Sequence, residues 1–103
     1  PLWLAPVQAV ILPISDKHAA YAKTLENKLK SEHIRTTTDY SNESLGKKIR
    51  NAKNEKIPYL LVVGDKEIES NSASVENREK GALGAMTVDD IIATLTKEIK
   101  DKK

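Results

Sequence analysis

Apolar positions along this chain fall into two patterns, unbroken runs of strand length and stripes that recur every third or fourth residue. Val7 to Ile14 is a run in which Gln8 is the only polar member, as suits a strand covered on both sheet faces. Tyr59 to Val63 is a second run, approached through Pro58 and stopped by Gly64-Asp65. Between them, Ser15 or Asp16 offers an N-cap. Ala22, Leu25 and Leu29 then recur at helical spacing, with Lys17, Glu26, Lys28 and Lys30 lying elsewhere. His33 falls at the stop of this first helix, where His, Asn and Asp tolerate a left-handed backbone better than most non-glycine residues. Ile34 to Asp39 predicts the next strand.

Asn42 is the candidate N-cap of a second helix, with Leu45, Ile49 and Ala52 as its inward stripe and Lys47, Arg50 and Asn54 outward. Downstream, Asn71 and Gly81 bracket a strand from Ala73 to Asn77 that returns through a turn to Leu83 to Met86. Thr87-Val88-Asp89-Asp90 resembles a capping box, and Val88, Ile91, Ile92, Leu95 and Ile99 form the apolar stripe of a third helix. The last residues, Lys100 to Lys103, are expected to fray. This order of elements is that of an α/β fold, with parallel strands joined by right-handed crossovers and helices covering a mixed sheet.

Length allows one core: 103 residues make a single domain spanning 1–103. The chain begins with Pro1, and a fragment of a longer chain is the expectation. Cysteine is absent, which removes thiol chemistry and Cys-based zinc sites and fits a reducing compartment, the cytoplasm by default. No apolar run approaches the about 20 residues of a membrane span.

Net charge is only +2, so the balance alone points to no polyanion. Its distribution changes the picture. Residues 41–56 are net +3, carried by Lys47, Lys48, Arg50, Lys53 and Lys56 against Glu43 and Glu55. Residues 64–86 are net −2, with Lys66, Arg78 and Lys80 against Asp65, Glu67, Glu69, Glu76 and Glu79. Lys47, Lys48, Arg50 and Lys56 have the chemistry to meet phosphates or RNA bases, lysine as a mobile charge and arginine as a planar fork. On residue types alone a solvated helix face is the favoured alternative. Trp3 and Tyr40 offer stacking surfaces, though anchoring against the domain is favoured for both.

Catalytic chemistry is missing from the inventory. His18 and His33 stand apart from other ligands and read as surface or helix-end histidines. The four glycines match neither a phosphate loop nor a dinucleotide fingerprint. Asp89 and Asp90, at a helix start, suit capping and the helix dipole. Nothing in the chain itself points to turnover.

Trp3-Leu4-Ala5-Pro6-Val7-Gln8, Asn42 to Arg50, Pro58 to Glu67, Leu83-Gly84 and the final helix together resemble the C-terminal anticodon-binding domain of threonyl-tRNA synthetase, a class II aminoacyl-tRNA synthetase. The similarity covers nearly the whole chain. Gly46-Lys47-Lys48-Ile49-Arg50 and Gly64-Asp65-Lys66-Glu67 favour the threonyl branch over the prolyl, glycyl and histidyl ones. The resemblance implies a three-layer fold, a mixed, mostly parallel five-stranded sheet flanked by three helices, that binds the anticodon loop while an upstream domain charges the tRNA.

It also implies a site. Asn42, Arg50 and Glu67 would face bases, with Lys56 where the family often has Arg; Lys47, by its charge, and Arg78, as a compensating arginine, complete the candidate set. No cofactor is implied for this domain. ATP, Mg²⁺ and a zinc ion belong to the catalytic domain of the parent, the isolated chain being expected as a monomer. One position departs from the pattern, for Glu76 falls where the family usually has a base-binding Arg. A carboxylate there opposes RNA binding, and Arg78, two residues on, is the candidate to compensate. The alternative is a paralogous protein-interaction module that kept the fold and lost base reading, with the acidic 64–86 segment as its best support.

Overall fold

The structure is a computed structural model that describes residues 7–40, 43–78 and 80–101. The first apolar run forms β1 (Ala9–Pro13), whose five residues are all buried. A 3-10 turn (Asp16–His18) leads into α1 (Ala19–Ser31). Then come β2 (Thr36–Thr38), α2 (Leu45–Asn54), β3 (Tyr59–Val63), α3 (Asp65–Ser70), β4 (Ser72–Asn77), β5 (Gly81–Thr87) and α4 (Val88–Asp101).

The sheet has the order β2-β1-β3-β4-β5. β1 pairs in parallel with β2 and β3, while β4 runs antiparallel to both β3 and β5. Four strands therefore point one way and one the other. The mixed five-stranded sheet is as expected, but the described residues hold four α-helices where three were expected. The addition is α3, within a segment read as a polar turn. Its Asp65 and Glu67 suit a helix start, and Asn71, left-handed at φ 51°, ends it. With Ile68 as its lone apolar residue it carries no stripe from which to predict it.

Helix starts account for the other departures. Neither Ser15 nor Asp16 is the N-cap of α1; His18 is, without a side-chain cap bond. Ser15 instead serves the turn before it, accepting from the His18 N–H at 3.0 Å. At α2 the cap is Ser44, whose hydroxyl accepts from the Lys47 N–H at 3.3 Å, while Asn42 lies outside the described residues. The second strand is shorter than Ile34 to Asp39, because only Thr36 to Thr38 pair with β1; Ile34 instead closes α1 by donating to the Leu29 carbonyl. β5 begins at Gly81, not Leu83, and ends at Thr87, not Met86. Thr87 caps α4 by accepting from the Asp90 N–H at 3.2 Å, and His33 is left-handed at φ 64°, both as read from sequence.

Two apolar layers hold the sheet. On one side α1 and α4 bury Ala22, Leu25, Leu29, Ile91 and Leu95 against Ala9, Ile11, Tyr59, Leu61, Val63, Ala73 and Val75. On the other, α2 places Ala52, with Leu45 and Ile49 beside it, over Val10, Leu12 and Leu60. The alternating residues of β1 and β3 feed opposite layers, which is why both runs are apolar throughout.

Candidate nucleic-acid interface

Four helices do not cover the sheet evenly. Leu60 and Val62 face α2, and their partners across the antiparallel ladder, Glu76 and Ser74, must share that face. Glu76 and Ser74 pair in turn with Ala82 and Ala85 of β5. None of these four belongs to the apolar layer beneath α2, and Ala82 and Ala85 are exposed. Among the described residues, the half of the sheet formed by β4 and β5 is therefore open on the α2 side. Leu83 is an extra residue opposite the Val75–Glu76 step, so β5 bulges there. Gly84, at φ 85°, supplies the left-handed backbone the bulge requires.

α2 borders this open surface with cations, and helical phase decides which ones. Lys53 Nζ lies 3.1 Å from Glu76 Oε1 and so marks the flank turned toward β4. Arg50 is three residues back, about 60° around the helix, and shares that flank. Lys47 sits about 120° from Lys53, and its ammonium meets Glu43 Oε2 at 3.5 Å. Asn51 reaches the same carboxylate at 3.4 Å, so Lys47 belongs to the other flank. Lys48 is not on the outer face at all. It is 4% exposed and donates to the Pro13 carbonyl at 3.0 Å, inside the fold.

The sequence-predicted residues split along the sheet. α2 runs back to the start of β3, which puts Lys53 and the exposed, left-handed Lys56 (φ 61°) at the same end as Glu76 and Arg78. Arg78 stands in the turn after β4, where its N–H donates to the Pro58 carbonyl at 2.8 Å. It is not part of the strand, so its direction is not tied to that of Glu76. Glu67 lies at the opposite end, on α3 beyond Val63, with about 13 Å of strand between Ser72 and Glu76. Among the described residues, Arg50, Lys56 and Arg78 take part in no ion pair. Sequence reasoning had no place in the site for Lys53, although its phase, three residues after Arg50, was available to find it.

At the Glu67 end a polar cluster fixes the start of α3. His18, read as a surface or helix-end residue, does stand at a helix end, as the N-cap of α1, but is buried, 3% exposed. Its Nε2 is 2.9 Å from Asp65 Oδ1, and Lys17 Nζ is 3.2 Å from Asp65 Oδ2. These two contacts, His18 first, hold the Asp65 carboxyl below its ordinary value. Gly64 precedes it under close packing, since a β-carbon there would stand 2.6 Å from Ile14 Cδ1 and 3.2 Å from Glu67 Oε1. On the far flank of α2, a cleft of about 470 Å³ mixes Lys48 with Asp39 and Glu55, a lining without the cationic bias of the β4 side.

A small-residue sheet face with Arg50, Lys56, Arg78 and the Lys53–Glu76 pair at one end and the Glu67 carboxylate at the other is suited to a strand of unstacked nucleotides. The anticodon-binding domain family matches residues 8–98. The chain belongs to that family. Relatives of this anticodon-binding domain include the threonine–tRNA ligase of Natranaerobius thermophilus, 48% identical over 98% of this chain, and that of Legionella pneumophila, 52% identical over 96%. The chain spans 16% of the length of each. Among solved structures, the RNA-binding domain of threonyl-tRNA synthetase from Cryptosporidium parvum superposes with a TM-score of 0.89 at 31% identity, over 94% of this chain and 24% of that one. The histidyl-tRNA synthetase of Nostoc shares the fold, with a TM-score of 0.84 at 17% identity over 92% of this chain and 23% of that one. The resemblance read from the sequence is thus borne out for both family and fold.

Proposed function

We propose that this domain reads the anticodon loop of threonine tRNA, so that a catalytic domain in the same protein charges the correct tRNA. The open α2-side face of β4 and β5, bordered by Arg50, Lys53, Lys56 and Arg78, is the observation that carries the reading. Phosphates suit the cationic rim. Glu67 suits a guanine, because one carboxylate accepts two hydrogen bonds from its Watson-Crick edge, and the second and third threonine anticodon bases are G and U. Asn42, by its sequence position ahead of α2, is assigned with Arg50 to the bases, and Lys47 to the loop's phosphates. Aminoacylation, with ATP, Mg²⁺ and zinc, is assigned to residues outside this chain. The described residues offer no group of His, Cys, Asp or Glu able to hold a metal ion. No described helix is long and apolar enough to cross a membrane, and the cytoplasm is the proposed compartment.

Competition binding tests this. A threonine anticodon stem-loop should displace one altered at its second or third base, and affinity should fall as salt rises, because phosphate neutralisation releases counterions. Indifference to both bases would instead support the protein-interaction module, the reading that Glu76 on the RNA-facing surface favours.

A further inference from the structure

α3 is six residues long and none of them is buried. Its N-cap is Gly64, which has no side chain to cap with. A helix this short gains little from its own hydrogen bonds, and no apolar residue anchors it. Polar contacts to Asp65 are what tie its start to the rest of the fold. Of the two, the Lys17 contact with Asp65 lies at the surface, with side chains 68% and 71% exposed, so its hold is screened by solvent. His18 differs. Its side chain is 4% exposed, and its ring is fixed from behind. Nδ1 lies 3.1 Å from the Ser15 N–H, which can only donate. Nδ1 is therefore the acceptor, and the ring proton sits on Nε2, aimed at Asp65. Glu67 follows two residues after Asp65, its carboxylate lying over Gly64 beside Ile14.

We infer that His18 is a positioning residue for anticodon reading: held by Ser15 and donating to Asp65, it sets the orientation in which α3 presents Glu67 to the second anticodon base. The inference rests on the function proposed above. Loss of the tie leaves α3 folded onto β4 through the chain itself, but lets its first turn rotate. The consequence falls on discrimination between bases more than on affinity for RNA, because the cationic rim at the other end of the sheet is untouched.

The measurement is the ratio of affinities for a threonine anticodon stem-loop and the same loop with its second base changed. Asp65→Ala, at an exposed position, cuts the tie without opening the core, and His18→Ala cuts it from the buried end. Each should lower the ratio at least fivefold, Lys17→Ala less than twofold, and His18→Gln, which keeps a donor toward Asp65, should recover part of the loss. In a Glu67→Gln background neither Asp65→Ala nor His18→Ala should lower the ratio further. Equal weakening toward both loops, or a ratio held within twofold in Asp65→Ala, would overturn the positioning role. A chain that fails to discriminate before any substitution overturns the proposed function itself, a result distinct from discrimination that survives the loss of Asp65.

Discussion

Lys48 and Lys53 lie five residues apart on α2 and meet opposite ends. Lys48 turns into the fold and donates a hydrogen bond to the Pro13 carbonyl, whereas Lys53 reaches across open surface to Glu76. Their type says only that both are cations; phase on the helix says which can meet a polyanion. The same holds for histidine. His18 and His33 look alike as isolated residues, yet one is buried and the other is exposed in a left-handed turn. Site chemistry was legible in the sequence only where one-dimensional phase or family resemblance applied. The Ser15–His18–Asp65 cluster joins residues nearly 50 positions apart and left no local trace. Buried Glu26 supplies a prediction at this scale. Burial pushes its carboxyl up, but hydrogen bonds from Lys30 and Thr38 outweigh that and hold it below its ordinary value of 4.5. A folded value below the unfolded one means a stabilising contribution that is complete above pH 4.5 and is lost as pH falls through the lowered value. In denaturant melts, the stability gap between wild type and Glu26→Gln should stay constant above that pH and shrink below it. A gap that widens on acidification contradicts the assignment.

The elements themselves explain why some were legible and α3 was not. α2 and α4 carry apolar stripes, and β1 and β3 are apolar throughout, so each declares the layer it enters. α3 buries none of its residues and has a lone apolar one, Ile68, so it has no periodicity to read. For function, the telling pair of elements is α2 and β4. Lys53 pairs with Glu76, which lets a carboxylate stand on the surface proposed to meet phosphates. As a half-exposed ion pair it contributes only about 0.5 kcal/mol to stability. Glu76→Gln should therefore leave unfolding almost unchanged while releasing Lys53, tightening stem-loop binding by about twofold to threefold at low salt with a steeper salt dependence. Arg78→Ala should act in the opposite sense, weakening binding well beyond the effect of Lys28→Ala on the other side of the sheet. Equal losses at Arg78 and Lys28 would remove Arg78 from the interface.

Across the whole molecule, the proposed function rests on an imbalance in coverage. Among the described residues, two long helices, α1 and α4, close one side of the sheet, while α2 spans part of the other. The fold was legible because the order of apolar runs and stripes fixes strand direction and layering. The open half of the sheet was not, because it depends on which strands one helix fails to reach. A titration of isotope-labelled chain with a threonine anticodon stem-loop, followed by backbone amide NMR shifts, tests the central claim directly. Saturable changes confined to β4, β5, α3 and the stretch from Arg50 to Lys56 are the predicted result. Changes centred on the outer faces of α1 and α4, around Lys23 and Lys97, or no saturable change at all, would contradict it.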